Sequence, residues 1–227
     1  MGPTSSSSDL TPAAVVAAAA AGLARAAAEI ELEQAVRGID THDELALHPL
    51  LAAGLHAAGY GVHREERYPS DRRRARRTEG RRCDLVITPD GLPLVDDRAQ
   101  PELFAPARAC PLHDALWLEV KVIAQFREGG APNRSYARAL TAPVWRDVEK
   151  LAADEGIARA AVLVVLFTAD VHVADHDLAT WCSLGRARGL LFATPEIERV
   201  PINDRVGNAL CTVAAVPLIL LMRRPLG

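Results

Sequence analysis

Helical and strand-like hydrophobic patterns alternate along the chain. Over 12–36 the Ala, Leu and Glu content predicts one long helix, ended by Gly38. A second helix is predicted over 42–58, where Thr41-x-x-Glu44 fits a capping box and Gly59 a C-terminal stop. Pro49 should kink this helix or push its start to about His48. Residues 61–68 alternate with a period of two and read as a strand. An arginine-dense loop at 72–82 leads into a second strand at 83–88 (CDLVIT), and PDG at 89–91 is a turn signal. The Pro-rich segment 92–115 is expected to form a hairpin with a long loop. LWLEVKVI at 116–123 is the clearest strand. After a Gly/Pro/Asn loop at 129–133, a helix is predicted at 142–155, a fully buried strand at 161–167 and a helix at 175–185. Two or three more strands fill the remainder. This order implies a central mixed β-sheet with helices on both faces, class α/β or α+β, plus an extra N-terminal helix. The chain divides into a flexible tail (1–11), an N-terminal helical segment outside the core (12–40) and one domain (41–227).

Composition narrows the classes. With 227 residues, 49% hydrophobic and 24% charged, the chain can bury one sizeable core, and collagen-like, disordered and disulfide-scaffold classes are excluded. A formal net charge of -3 argues against a wholly basic nucleic-acid coat but allows a local basic patch. At 4% aromatic residues, a wide base-stacking platform is not expected. Cys83, Cys110, Cys182 and Cys211 form no CxxC pair and read as reduced core thiols of a cytoplasmic protein. The Ala-rich run lacks the basic residues that precede a secretory signal, and the apolar run 209–222 is too short for a span and carries Pro217. No membrane association is expected. Among the cations, 24 are Arg and only two, Lys121 and Lys150, are Lys. Lys is a compact point charge, unlike the fixed fork of Arg, so each lysine in an arginine-using chain attracts notice.

Lys121 lies in LWLEVKVI. There Leu116, Leu118, Val120 and Val122 share one face of the strand, and Trp117, Glu119, Lys121 and Ile123 the other. Burying ionic groups costs several kcal/mol unless they are paired or bind a metal. The plain alternative is an edge strand carrying a solvated Glu–Lys pair. Asp84 begins another apolar strand. If the two strands pair, Asp84 and Glu119 meet at one end of the sheet, as a hard-oxygen site suited to Mg²⁺ or Mn²⁺. Lys121 beside them could orient or deprotonate an attacking water, or offset charge in a transition state.

Asp84, followed about 35 residues later by Glu119-Val120-Lys121, with a helix–strand unit in front, resembles the PD-(D/E)XK nuclease superfamily over about residues 41–167. Cys83 stands where the name-giving Pro would be. The resemblance implies a restriction-endonuclease-like fold and divalent-metal-dependent hydrolysis of phosphodiesters. It implies that Asp84 and Glu119 ligate the metal, Val120 lends its backbone carbonyl and Lys121 acts on the water. Glu44 sits where many members carry a further Glu, although the capping box explains it structurally. The spacing requires segment 92–115 to leave the sheet and return.

Other residues have secondary claims. Gln125 resembles a polar residue that some members place near the site. Asp147 and Lys150 lie three apart on one helix face, as a surface ion pair or with Lys150 reaching toward phosphate, and Tyr136 is a weaker candidate of the same kind. Arg72, Arg73, Arg74, Arg76, Arg77, Arg81 and Arg82 could grip a nucleic-acid backbone. Asp170, His172, Asp175, His176 and Asp177 form a rival Zn²⁺-type cluster, with Asp175 or Asp177 as the alternative cap of the next helix. The leading expectation is a nuclease acting on DNA ahead of RNA, as a homodimer or a subunit of a larger complex. The alternatives are an inactive nucleic-acid-binding module of the same fold and an enzyme built on the Asp/His cluster.

Overall fold

The structure, a computed structural model, describes residues 10–72, 81–96, 106 and 108–220. In chain order the elements are α1 (Pro12–Leu32), a 3₁₀ turn (Ile39–Thr41), α2 (Glu44–Ala57), β1 (Gly61–Arg67), α3 (Pro69–Arg72) and β2 (Arg82–Thr88). A second 3₁₀ turn (Pro89–Gly91), β3 (Leu94–Val95), β4 (Cys110–Pro111), β5 (Leu116–Ala124), α4 (Tyr136–Leu140) and α5 (Ala142–Ala152) follow. The described chain closes with β6 (Ala160–Thr168), α6 (Val171–Ala187), β7 (Glu196–Pro201) and β8 (Leu210–Pro217).

Six strands form one mixed sheet in the order β1-β2-β5-β6-β8-β7. β5 and β6 run parallel, joined through α4 and α5, and the other neighbours are antiparallel. The expected α/β class with helices on both faces is the observed one. Every residue of β6 is buried, which is why it reads as a continuous apolar run rather than an alternating one. Leu116, Leu118 and Val120 of β5 join the core under α1 and α2, while Trp117 and Ile123 join the core under α5 and α6. β5 lies between β2 and β6, so the edge-strand reading of LWLEVKVI fails.

α1 packs into the first of these cores, against α2, β7 and β8, and so does not stand apart from it. It is long and apolar enough to cross a membrane. Its apolar face is spent inside the chain: Val15, Val16 and Leu23 are fully buried, each worth roughly 1.5–3 kcal/mol. The α1–α2 crossing is close because Gly22 faces Gly54, and a Cβ on Gly54 would run into the Ala18 carbonyl and Gly22 backbone.

Several predicted boundaries shift for local reasons. α1 stops at Leu32, not near Val36, because Gln34 takes a left-handed φ of 53° and the Ala35 and Gln34 amides turn back to Ile30 and Glu31. The cap of α2 is Asp43, whose carboxylate accepts from the Ala46 amide at 2.9 Å. The Thr41–Glu44 capping box is therefore absent, and Thr41 closes the 3₁₀ turn instead. Pro49 lies inside α2 without ending it. The bond it removes would go to the carbonyl of Leu45, an exposed residue with access to water. α6 begins at Val171 because Asp170, not Asp175 or Asp177, caps it through the Val173 amide. Segment 92–115 leaves the sheet and returns as expected, but β3 and β4 pair in parallel, not as a hairpin.

Candidate metal and catalytic site

The site is made where β2 and β5 part. Their ladder runs from Ile87–Leu116 to Leu85–Leu118 and stops. The next pair in register is Asp84 and Glu119. Beyond the fork, Asp84 Oδ2 takes the Val120 amide at 2.7 Å in place of a ladder bond, and the Cys83 thiol donates to the Leu118 carbonyl. On its other side Asp84 faces Glu65, which has a left-handed φ of 54° and drops out of the β1–β2 register. A non-glycine residue at positive φ is uncommon and here interrupts the sheet beside the carboxylate. Asp84 is thus held by one backbone amide but released from both ladders.

α2 approaches this fork from one face of the sheet. Glu44 and His48 are one turn apart and share a side of the helix. One ligand atom each from Glu44, His48 and Asp84 lie within 4.8 Å of one another. Among the described residues this is the group of His, Cys, Asp or Glu side chains gathered closely enough to hold an ion. His48 is wholly buried, and neither ring nitrogen has a hydrogen-bond partner. An unmet buried polar atom costs about 1–3 kcal/mol. An imidazole nitrogen close to two carboxylates is a ligand for a divalent cation, and binding one would remove that cost. The residues therefore fit a divalent cation.

α5 approaches from the other face. Glu119 is 2% exposed, and its Oε1 accepts from the Tyr68 hydroxyl and from Lys150 Nζ at 2.6 Å. Lys150 also pairs with Asp147 at 3.3 Å and lies over the Tyr68 ring. Lys121 Nζ binds Glu44 at 3.1 Å, Asp147 at 3.2 Å and the Val120 carbonyl at 2.8 Å. Glu119 and Lys121 thus share a strand without pairing to each other. Both lysines of the chain stand in this one cluster.

Burial and the charge of Asp84 push the Glu119 carboxyl up to about 8, against the pull of Lys150 and Tyr68. Burial also raises Glu44, against the pull of Lys121. For Lys121, burial opposes the charge, but Glu44, Asp147 and Asp84 outweigh it and raise the ammonium above its ordinary value. Burial likewise opposes the charge of Lys150, which Glu119 and Asp147 carry upward. Lys121 therefore stays charged at neutral pH. Of the three roles open to it, deprotonating water is the one this environment disfavours.

A cleft of about 550 Å³ runs beside the cluster, lined by Arg81, Lys121, Arg146, Asp147 and Lys150 among others. Of the predicted phosphate-gripping arginines, Arg81 faces this cleft. Arg72 is engaged by Glu66 at 2.6 Å, and Arg82 donates to the Glu65 carbonyl. Arg73, Arg74, Arg76 and Arg77 lie outside the described residues. Gln125 is not in the cluster: its Oε1 accepts from the Ala169 amide and ties the end of β5 to that of β6. Tyr136 donates to Asp177 at 2.8 Å, away from the acids. The rival cluster does not converge, since Asp170 caps α6, Asp175 pairs with Arg199, and His172 and His176 are exposed.

Thus Asp84, Glu119, Lys121 and Glu44 come together, but on two sides of one strand. The expected Val120 carbonyl is occupied by Lys121, and Glu119 is held from the α5 side. His48 and Tyr68 were missed from sequence. His48 left a signal, its i,i+4 spacing from Glu44, whereas Tyr68 left none. No family model, curated protein or solved structure matches the chain.

Proposed function

We propose that the chain is a divalent-metal-dependent nuclease of the PD-(D/E)XK type, hydrolysing phosphodiester bonds by water attack on phosphorus, with DNA the preferred substrate over RNA. The observation that carries this reading is the fork between β2 and β5, which gathers Asp84, Glu44 and the unsatisfied His48 on one side and leaves Lys121 and Glu119 beside them. Asp84, Glu44 and His48 would hold the ion, with Glu119 kept beside Asp84 by Lys150. The imidazole favours a transition-series ion such as Mn²⁺ alongside Mg²⁺. When bound, such an ion polarises the phosphoryl oxygen and lowers the pKa of a water. Lys121, fixed as an ammonium by Glu44 and Asp147, orients that water and offsets charge as it develops on phosphorus. Arg81 and Arg146 in the cleft receive the neighbouring phosphates. The free, buried cysteines fit a reducing cytoplasmic setting.

The test is incubation with plasmid, single-stranded DNA and RNA in EDTA, Mg²⁺ or Mn²⁺. Cleavage is expected only with metal, with Glu119→Ala inactive and Lys121→Ala slower by on the order of 10²–10³-fold. Cleavage that survives both Glu119→Ala and Lys121→Ala, or absence of cleavage of every substrate by folded protein, contradicts the reading. In the second case the binding-module alternative stands.

A further inference from the structure

The acidic groups around the fork outnumber what one lysine could balance, and the chain places both of its lysines there. Glu44, Asp84, Asp147 and Glu119 face Lys121 and Lys150. Four carboxyl groups thus face two ammonium groups, an acidic excess that a single divalent cation would offset. Arg81, Arg146 and Glu149 also line the cleft but are exposed and screened by water.

The placement of the lysines is asymmetric. Lys121 bridges Glu44 and Asp147 across the strand, and Glu44 belongs to the group that includes the unsatisfied, fully buried His48. On the far side, Lys150 meets Glu119 at 2.6 Å, and both hydrogen bonds given to Glu119 fall on Oε1. The ammonium is anchored there by Asp147 and by the Tyr68 ring, so Glu119 already has a cation in contact. Two carboxylates within reach of each other commonly share two metal ions in phosphoryl-transfer sites.

We propose that Lys150 takes the place of a second metal ion: its ammonium holds Glu119 by Oε1, and the site binds a single divalent cation on the Glu44–His48–Asp84 side. Lys150 is then a positioning residue that acts through Glu119. This rests on the metal site of the proposed function and adds its stoichiometry.

The experiment is titration of the full chain with Mn²⁺, free ion being read by electron paramagnetic resonance and heat by calorimetry, with folding checked by thermal melts. Wild type is expected to bind one Mn²⁺ per chain and Lys150→Arg also one, since the cation is kept. Lys150→Met is expected to bind two, because Glu119 and Asp147 are freed to hold another. Two ions on wild type, or one on folded Lys150→Met, overturns the proposal while leaving the nuclease reading intact. If Lys150→Met does not fold, the wild-type count alone decides. No saturable Mn²⁺ binding by wild type overturns this proposal and the metal site together, and is told apart by its loss of the first ion.

Discussion

Glu119 carries the sharpest consequence at the scale of single residues. Its carboxyl titrates near 8 in the metal-free fold because it is buried beside Asp84, whereas in the unfolded chain it titrates in the ordinary carboxylate range. The native state therefore holds a proton that the unfolded state releases. That contribution to stability is full below the unfolded value and is lost as pH rises through about 8. Glu119→Gln removes the dependence. In EDTA, the difference in melting temperature between Glu119→Gln and wild type should shift in favour of the variant from pH 5 to pH 8.5. A constant difference would mean that Glu119 is ionised throughout. His48 gives a second expectation. Its unmet nitrogens cost stability in the absence of metal, so Mn²⁺ should raise the melting temperature of wild type and leave His48→Phe unmoved. An equal rise in both would remove His48 from the ligand set.

At the scale of elements, the site depends on how α2 and α5 are seated against the sheet. α2 is positioned by its crossing with α1, where Gly22 and Gly54 leave no room for a methyl group. Gly54→Ala should lower stability by roughly 1–3 kcal/mol through overpacking, read as a reduced urea midpoint at unchanged m. A variant as stable as wild type would show that the crossing can yield. The central elements were legible in the sequence. β5 and β6 announce themselves as apolar runs, and the Asp84-to-Glu119 spacing anticipates the excursion through β3 and β4. Helix ends were less legible, because Gln34 and Asp43 perform the stop and the cap expected of Gly38 and Thr41. The face pattern of LWLEVKVI put Glu119 and Lys121 together. What it could not supply was the partner of each, since Lys150 and Asp147 arrive from α5, Glu44 from α2 and Tyr68 from the β1–α3 connection. A histidine on an apolar helix reads as core, so the i,i+4 spacing of His48 from Glu44 gained weight only when the fold left its nitrogens unpaired.

For the molecule as a whole, with a formal charge of -3, the proposed binding of nucleic acid would rest on local charge. Arg81 and Arg146 line the cleft next to Lys121. Replacing either by Ala should weaken binding to oligonucleotides of any sequence, and lower the slope of log affinity against log salt by about 1. An unchanged slope would place the phosphate track elsewhere. The fold sets this cleft on one side of the forked strand pair and the Glu44–His48–Asp84 group on the other, with Lys121 reaching both. Backbone contact and water activation would then meet at a single side chain.

On the proposed reading, Asp84, freed from both ladders at the β2–β5 fork, holds the metal on which phosphodiester hydrolysis depends. The most direct test is single-turnover cleavage of an end-labelled DNA by wild type and Asp84→Asn, started by adding Mn²⁺ to preformed protein–DNA complex. Cleavage is expected for wild type on Mn²⁺ addition and not for Asp84→Asn, with DNA affinity retained. Equal cleavage rates for the two proteins would contradict it.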